Sequence, residues 1–232
     1  MSSHTNHTNH TNRTDPSRTE SHSGTDPELK DWALGNWIGI HVTTSLYKIP
    51  AIAKWLPEWI EMIISNLRCE ICVGHAKEYL KKNPVEKAHN PLIWAIDFHN
   101  DINKRLEKHI FTHDDAKKMI NEGRFDVNGK NWMKGVYDVI HLTAFWSNDK
   151  PGFFNTWIRA LVEKFPCKKF RDVTMRYINE NPPEKSGDDF AWAFHYHNAM
   201  NALAGKPAME FQTVQEMYIH GKIKLCDKGC GI

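Results

Sequence analysis

Cys69 and Cys72 are the residues best placed to do chemistry, two thiols separated by Glu70 and Ile71 where the periodicity predicts a helix opening at residue 70. At a helix N-terminus the backbone dipole stabilises thiolate, and two intervening residues let the sulfurs close a disulfide that opens and recloses readily. That is redox geometry. The same spacing serves zinc sites and thioredoxin-like folds, and the latter are excluded by the lack of a strand-helix-strand pattern. A second group of chemistry-bearing residues falls on a helix predicted over 90–108. At 3.6 residues per turn Ile96, His99, Asn103, Leu106 and Ile110 share one stripe, so an imidazole and an amide point where apolar side chains point. Buried polar groups need partners. Trp94 and Asn100 stand nearby, and Trp37 and His41, one turn apart on an earlier helix, add an aromatic and an imidazole wall. A flat, heteroatom-rich ring system would suit such a site.

The elements that must position these residues are written twice. Trp59-Ile60, Cys69, Tyr79, Asn83-Pro84-Val85-Glu86-Lys87, Trp94-Ala95, His99-Asn100 and Asn103 recur as Trp157-Ile158, Cys167, Tyr177, Asn181-Pro182-Pro183-Glu184-Lys185, Trp192-Ala193, His197-Asn198 and Asn201, each pair 98 residues apart (69 to 167, 99 to 197). Trp37 and His41 recur as Tyr137 and His141. Such self-similarity marks a duplicated domain. The second copy reads Cys167-Lys168-Lys169-Phe170, so the two-thiol unit exists in the first copy alone. Cys167 is expected to be a buried small hydrophobe.

Helical periodicity predicts helices near 32–47, 56–67, 70–82, 90–108 and 112–121, then near 131–146, 152–165, 168–180, 188–204 and 210–219, with no convincing alternation at period two. The expected fold is all-α: two tandem helical bundles, each of four helices and a short fifth, packed as an internal pseudo-dimer. The expected boundaries are a polar tail over 1–28, a first domain over 29–127, a second over 128–220 and a flexible tail over 221–232. The first tail carries almost no aliphatic or aromatic side chain and is expected to be disordered. Its Asn-His-Thr triplets match a glycosylation acceptor, but no secretory signal accompanies them.

A length of 232 residues with 41% hydrophobic content suffices for two domains of about 100 residues. The net charge of +2, with both signs interspersed, offers no phosphate-neutralising surface, so nucleic acid is not an expected partner. No apolar run approaches the roughly 18 residues of a membrane span, and a soluble chain made in the cytosol is expected.

Taken together, these motifs resemble the Erv/augmenter-of-liver-regeneration family of FAD-linked sulfhydryl oxidases. The matching residues are Trp37-Ile38-Gly39-Ile40-His41, then Cys69-Glu70-Ile71-Cys72-Val73-Gly74-His75, then Trp94 and His99-Asn100-Asp101-Ile102-Asn103-Lys104-Arg105-Leu106-Glu107-Lys108, over roughly residues 30 to 120. Ile102 replaces the family's Val, and Leu67-Arg68 stands where the family has Tyr-Pro before the cysteines, although the second copy keeps Phe165-Pro166. The resemblance implies FAD held by Trp37, His41, His75, Trp94, His99, Asn100, Asn103 and Lys108. It makes Cys72 the sulfur beside the flavin and Cys69 the one that exchanges with incoming thiols. It further implies that protein dithiols are the substrates and oxygen the electron acceptor, with hydrogen peroxide as product. Phe170 stands at the position equivalent to Cys72, so the second copy cannot pass electrons to a flavin, and its Tyr137, His141, Trp192, His197, Asn198, Asn201 and Lys206 either leave nucleotide binding open there or survive as packing.

Family members relay electrons through a second cysteine pair on a tail, and Cys226-Asp227-Lys228-Gly229-Cys230 has the composition for that role, or else carries two idle thiols. Two other readings compete with the oxidase. One is a zinc-stapled module using Cys69, Cys72 and two of His75, His89 and His99. The other is a scaffold or assembly protein built from a retired oxidase. Stand-alone family members occur in the mitochondrial intermembrane space and, when encoded by large DNA viruses, in host cytoplasm and virions; a fused degenerate copy resembles the viral variants more. Whether two chains pair stays open.

Overall fold

The computed structural model describes residues 27–128 and 130–219. All regular structure among them is helical: α1 Pro27–Ser45, α2 Pro50–Ala53, α3 Leu56–Ser65, α4 Glu70–Lys82, α5 Pro91–Arg105, α6 His113–Glu122, α7 Met133–Ser147, α8 Phe153–Glu163, α9 Lys168–Glu180, α10 Asp189–Leu203 and α11 Phe211–Tyr218. Tight 3-10 turns at Val85–Lys87 and Pro183–Lys185 join α4 to α5 and α9 to α10. No helix of the described residues is long and apolar enough to cross a membrane.

Local chemistry sets the helix starts. Asn90 accepts from the Leu92 and Ile93 amides at the head of α5, with Pro91 in the first helical position. Asp188 does the same for α10 through Phe190 and Ala191, and Thr112 caps α6 by accepting from the Asp115 amide. The structure departs from the sequence reading at three places. Helix α1 begins at Pro27, inside the segment expected to be disordered. The short α2, opened by Pro50 and anchored by buried Ile52, was not expected. Helix α5 stops at Arg105, and Glu107 turns the chain at a φ of 52°, so Ile110 leaves the apolar stripe assigned to it and is 47% exposed. The polar segment before residue 27 and residues 220–232, with Cys226 and Cys230, lie outside the described residues.

Helix α1 packs along α7 at a crossing that only glycine permits. A Cβ on Gly35 would come within 3.0 Å of the Trp132 carbonyl and the Val136 nitrogen, and one on Gly135 would strike the Trp32 carbonyl. The same contact is closed further along by reciprocal hydrogen bonds: Trp59 Nε1 donates to Thr143 Oγ1 at 2.9 Å and Trp157 Nε1 donates to Thr43 Oγ1 at 2.8 Å. Both indoles are fully buried, with ring centroids 6.2 Å apart in one continuous apolar core. The residues of this crossing repeat at a spacing of 100 (32 to 132, 35 to 135, 43 to 143), two more than the 98 found elsewhere.

Candidate active site

The turn Asn66–Arg68 delivers the chain from α3 to Cys69, which takes an extended conformation and caps α4. Its sulfur accepts from the Cys72 amide at 3.2 Å, and Cys69 and Cys72 are joined in a disulfide with Cα atoms 5.1 Å apart. Cys69 is 1% exposed, whereas Cys72 is half-buried and lines a cavity. The order of roles implied by the resemblance therefore assigns the incoming thiol to the less accessible sulfur. In this structure the two sulfurs that the zinc-staple reading would use are bonded to each other.

The cavity beside Cys72 lies between α1, α4 and α5 and spans about 820 Å³ including its opening to solvent. Its walls are mostly apolar, formed by Trp32, Trp37, Ile40, Leu67, Phe98 and Ile102, with His75 at the mouth. Trp37, Ile102 and Leu106 also wall a second, more open recess of about 1270 Å³, where His41, His99, Asn103 and Lys108 are joined by His109, Phe111 and Lys130. An apolar space against a disulfide, sharing walls with a recess that carries imidazoles, Lys108 and the Lys130–Asp126 ion pair, suits a ring system attached to a polar extension.

Trp37 and His99 are stacked at 3.9 Å with planes 6° apart, and His41 Nε2 lies 2.8 Å from His99 Nδ1. Burial lowers the His41 pKa to about 4 and holds His99 well below the ordinary imidazole range, where His41 and Lys108 add repulsion. The pair is thus neutral at neutral pH, with one proton between its facing nitrogens. His41 Nδ1 is buried and lacks a hydrogen-bond partner within the chain. The equivalent His141 Nδ1 in the second half is buried without a partner in the same way.

Of the eight residues expected to contact a cofactor, Trp37, His41, His75, His99, Asn103 and Lys108 line these two spaces. Trp94 and Asn100 do not. The Trp94 indole donates to the Asn83 carbonyl at 2.7 Å, and Asn100 pairs with the Phe111 backbone through both of its amide atoms at 2.9 Å. Their counterparts make the same bonds: Trp192 to Asn181 at 2.6 Å, and Asn198 with Met209 at 3.1 and 2.8 Å. Both residues thus staple backbone in each half, as Asn103 also does by donating to the His109 carbonyl at 2.9 Å. Trp32 and Phe98 wall the slot without having been singled out; the recurrence of Trp32 as Trp132, at spacing 100, was the available signal.

In the second half the equivalent space is occupied by side chains. Trp132, Phe165 and Phe170 pack ring to ring at 5.5, 5.9 and 5.7 Å, and Tyr218 of α11 stacks on His141 at 4.6 Å. Because Phe165 and Phe170 take up the burial, Cys167 is pushed outward: it is an exposed free thiol, contrary to the expected buried hydrophobe.

A helical bundle holding a disulfide against an aromatic slot defines a class of redox protein. The model of the Erv1 / Alr family matches residues 34–122. The chain is 38% identical over 64 residues to the FAD-linked sulfhydryl oxidase of African swine fever virus (isolate Pig/Kenya/KEN-50/1950), covering 27% of this chain and 54% of that protein. It is 36% identical over 64 residues to the protein of the same name from isolate Warthog/Namibia/Wart80/1980. Protein 347L of Invertebrate iridescent virus 6 is 30% identical over 108 residues, 40% of this chain and 96% of the relative. The chain belongs to the Erv1 / Alr family. It spans about half the length of the African swine fever virus relatives, and no solved structure matches it.

Proposed function

We propose that residues 29–127 form an FAD-dependent thiol oxidase that makes disulfides in protein dithiols, and that residues 128–220 are a degenerate second copy packed against it as an internal pseudo-dimer. The observation that carries the reading is the Cys69–Cys72 disulfide at the wall of an aromatic cavity lined by Trp32, Trp37 and Phe98. A client thiolate attacks Cys69, forming a mixed disulfide and releasing Cys72 as a thiolate; the client's second thiolate then displaces Cys69, leaving the client oxidised and the pair reduced by two electrons. FAD, when bound, takes those two electrons and passes them to oxygen, giving one hydrogen peroxide per client disulfide. The chain's own residues would hold it: Trp32, Trp37 and Phe98 offer an apolar aromatic wall, while His99, Asn103 and Lys108 line the neighbouring, more polar recess. Viral relatives support a setting in the host cytoplasm or the virion.

The ring-filled space around Phe170 sets the stoichiometry. Purified full-length protein is expected to carry about one FAD per chain, measured from flavin absorbance against protein concentration; a ratio near two would refute an empty second half.

Cys226 and Cys230 are proposed to relay electrons from bulky clients. The described chain ends at Ile219, next to Tyr218, whose hydroxyl shares Asp138 with Arg68, the neighbour of Cys69. Seven residues (219 to 226) reach at most about 25 Å, enough to return to that turn. Replacing both cysteines by serine is expected to spare dithiothreitol oxidation and slow oxidation of a reduced protein client; equal client rates would mean the pair is idle.

A further inference from the structure

One carboxylate of the second half gathers the redox turn of the first. Asp138, on α7, is 3% exposed and receives four hydrogen bonds. Arg68 donates twice, Nε to Oδ2 and Nη2 to Oδ1, both at 2.6 Å; Tyr218 Oη donates to Oδ1 at 2.7 Å; and the Trp32 indole donates to Oδ2. A bidentate guanidinium–carboxylate pair fixes direction as well as distance. Arg68 directly precedes Cys69, and Trp32 shares the slot wall with Cys72. The arrangement is one-sided. The residue equivalent to Arg68 in the second half is Pro166, and the residue equivalent to Asp138 in the first is Ile38.

We propose that Asp138 is a positioning residue for the Cys69–Cys72 turn: by holding Arg68 and Trp32 it fixes the disulfide against the aromatic slot, which gives the half without a cysteine pair a part in the redox step. This rests on the oxidase reading above. A disulfide misplaced by about an ångström transfers electrons to the slot poorly even when the cofactor is bound. A merely structural Asp138 would change the amount of folded, flavin-loaded protein but not the behaviour of each loaded molecule.

The test compares full-length, flavin-loaded parent with Asp138→Asn, which keeps the shape and loses the charge. Amide hydrogen exchange across 66–73 is expected to accelerate by about tenfold or more while α3 and α5 keep parent rates, because the loss is local to one tether. Turnover of dithiothreitol per bound flavin is expected to fall about tenfold or more, with KM within about threefold of the parent. Parent-like exchange across 66–73, or turnover per flavin equal to or faster than the parent's, overturns the proposal. Should Asp138→Asn fail to fold, Arg68→Gln, whose side chain is 16% exposed, carries the same two expectations and the same two refutations. A parent that binds no flavin or oxidises no dithiol refutes the oxidase reading instead, and the exchange measurement alone then decides whether the tether exists.

Discussion

Cys72→Ser is expected to abolish oxidation of dithiothreitol, by at least about a thousandfold, while the protein stays yellow, since no disulfide can form and hydroxyls do not substitute in thiol exchange. Flavin retention follows from the slot itself: its walls are Trp32, Trp37, Ile40, Phe98 and Ile102, and one sulfur is a small part of that surface. Oxygen consumption and the flavin-to-protein ratio, measured on the same preparation, check both halves of the expectation. Retained turnover would remove Cys72 from the electron path. Loss of flavin together with turnover would mean that the disulfide also shapes the slot.

Gly35→Ala should cost about 3 kcal/mol or more of unfolding free energy, even though alanine is the better helix former. The new methyl group would sit on the Trp132 carbonyl and the Val136 nitrogen, which are helix backbone and cannot step aside as a side chain can. The informative comparison is Gly74→Ala in α4, where nothing lies within 4 Å of the added Cβ and a gain of about 0.5–1 kcal/mol is expected. Denaturant unfolding of the two variants beside the parent gives opposite signs if the crossing of α1 and α7 is as tight as described. A neutral or stabilising Gly35→Ala would show that α1 can withdraw from α7 at little cost.

Much of this molecule could be read from its residue order. Helix positions followed from apolar periodicity, with α4 and α9 expected near 70–82 and 168–180 and found at Glu70–Lys82 and Lys168–Glu180. The redox pair was legible because both thiols lie within one turn of one helix. What the order of residues concealed was of two kinds. Trp94 and Asn100 look the same whether they serve a ligand or staple a backbone, and repetition in both halves could not separate the two, since both halves need the staple. The Arg68–Asp138 pair and the glycine crossing join positions 70 and 100 residues apart, where no local period connects them. Cys167 was misjudged for a related reason: its exposure depends on Phe165 and Phe170 claiming the interior first.

The close approach of α1 and α7 belongs to a single covalent chain. When two identical subunits meet through one self-complementary face, every contact between unlike positions occurs twice, so a harmful substitution is felt twice and a useful one cannot be confined to one side. Here position 38 is isoleucine and position 138 aspartate, position 68 arginine and position 166 proline, and each can change without its counterpart. The joint also does not depend on how many copies the cell makes, because its two faces meet at an effective concentration set by the intervening chain rather than by abundance. On the proposed reading, a gene carrying both halves can let one drift toward support and hold the other to chemistry, at any level of expression.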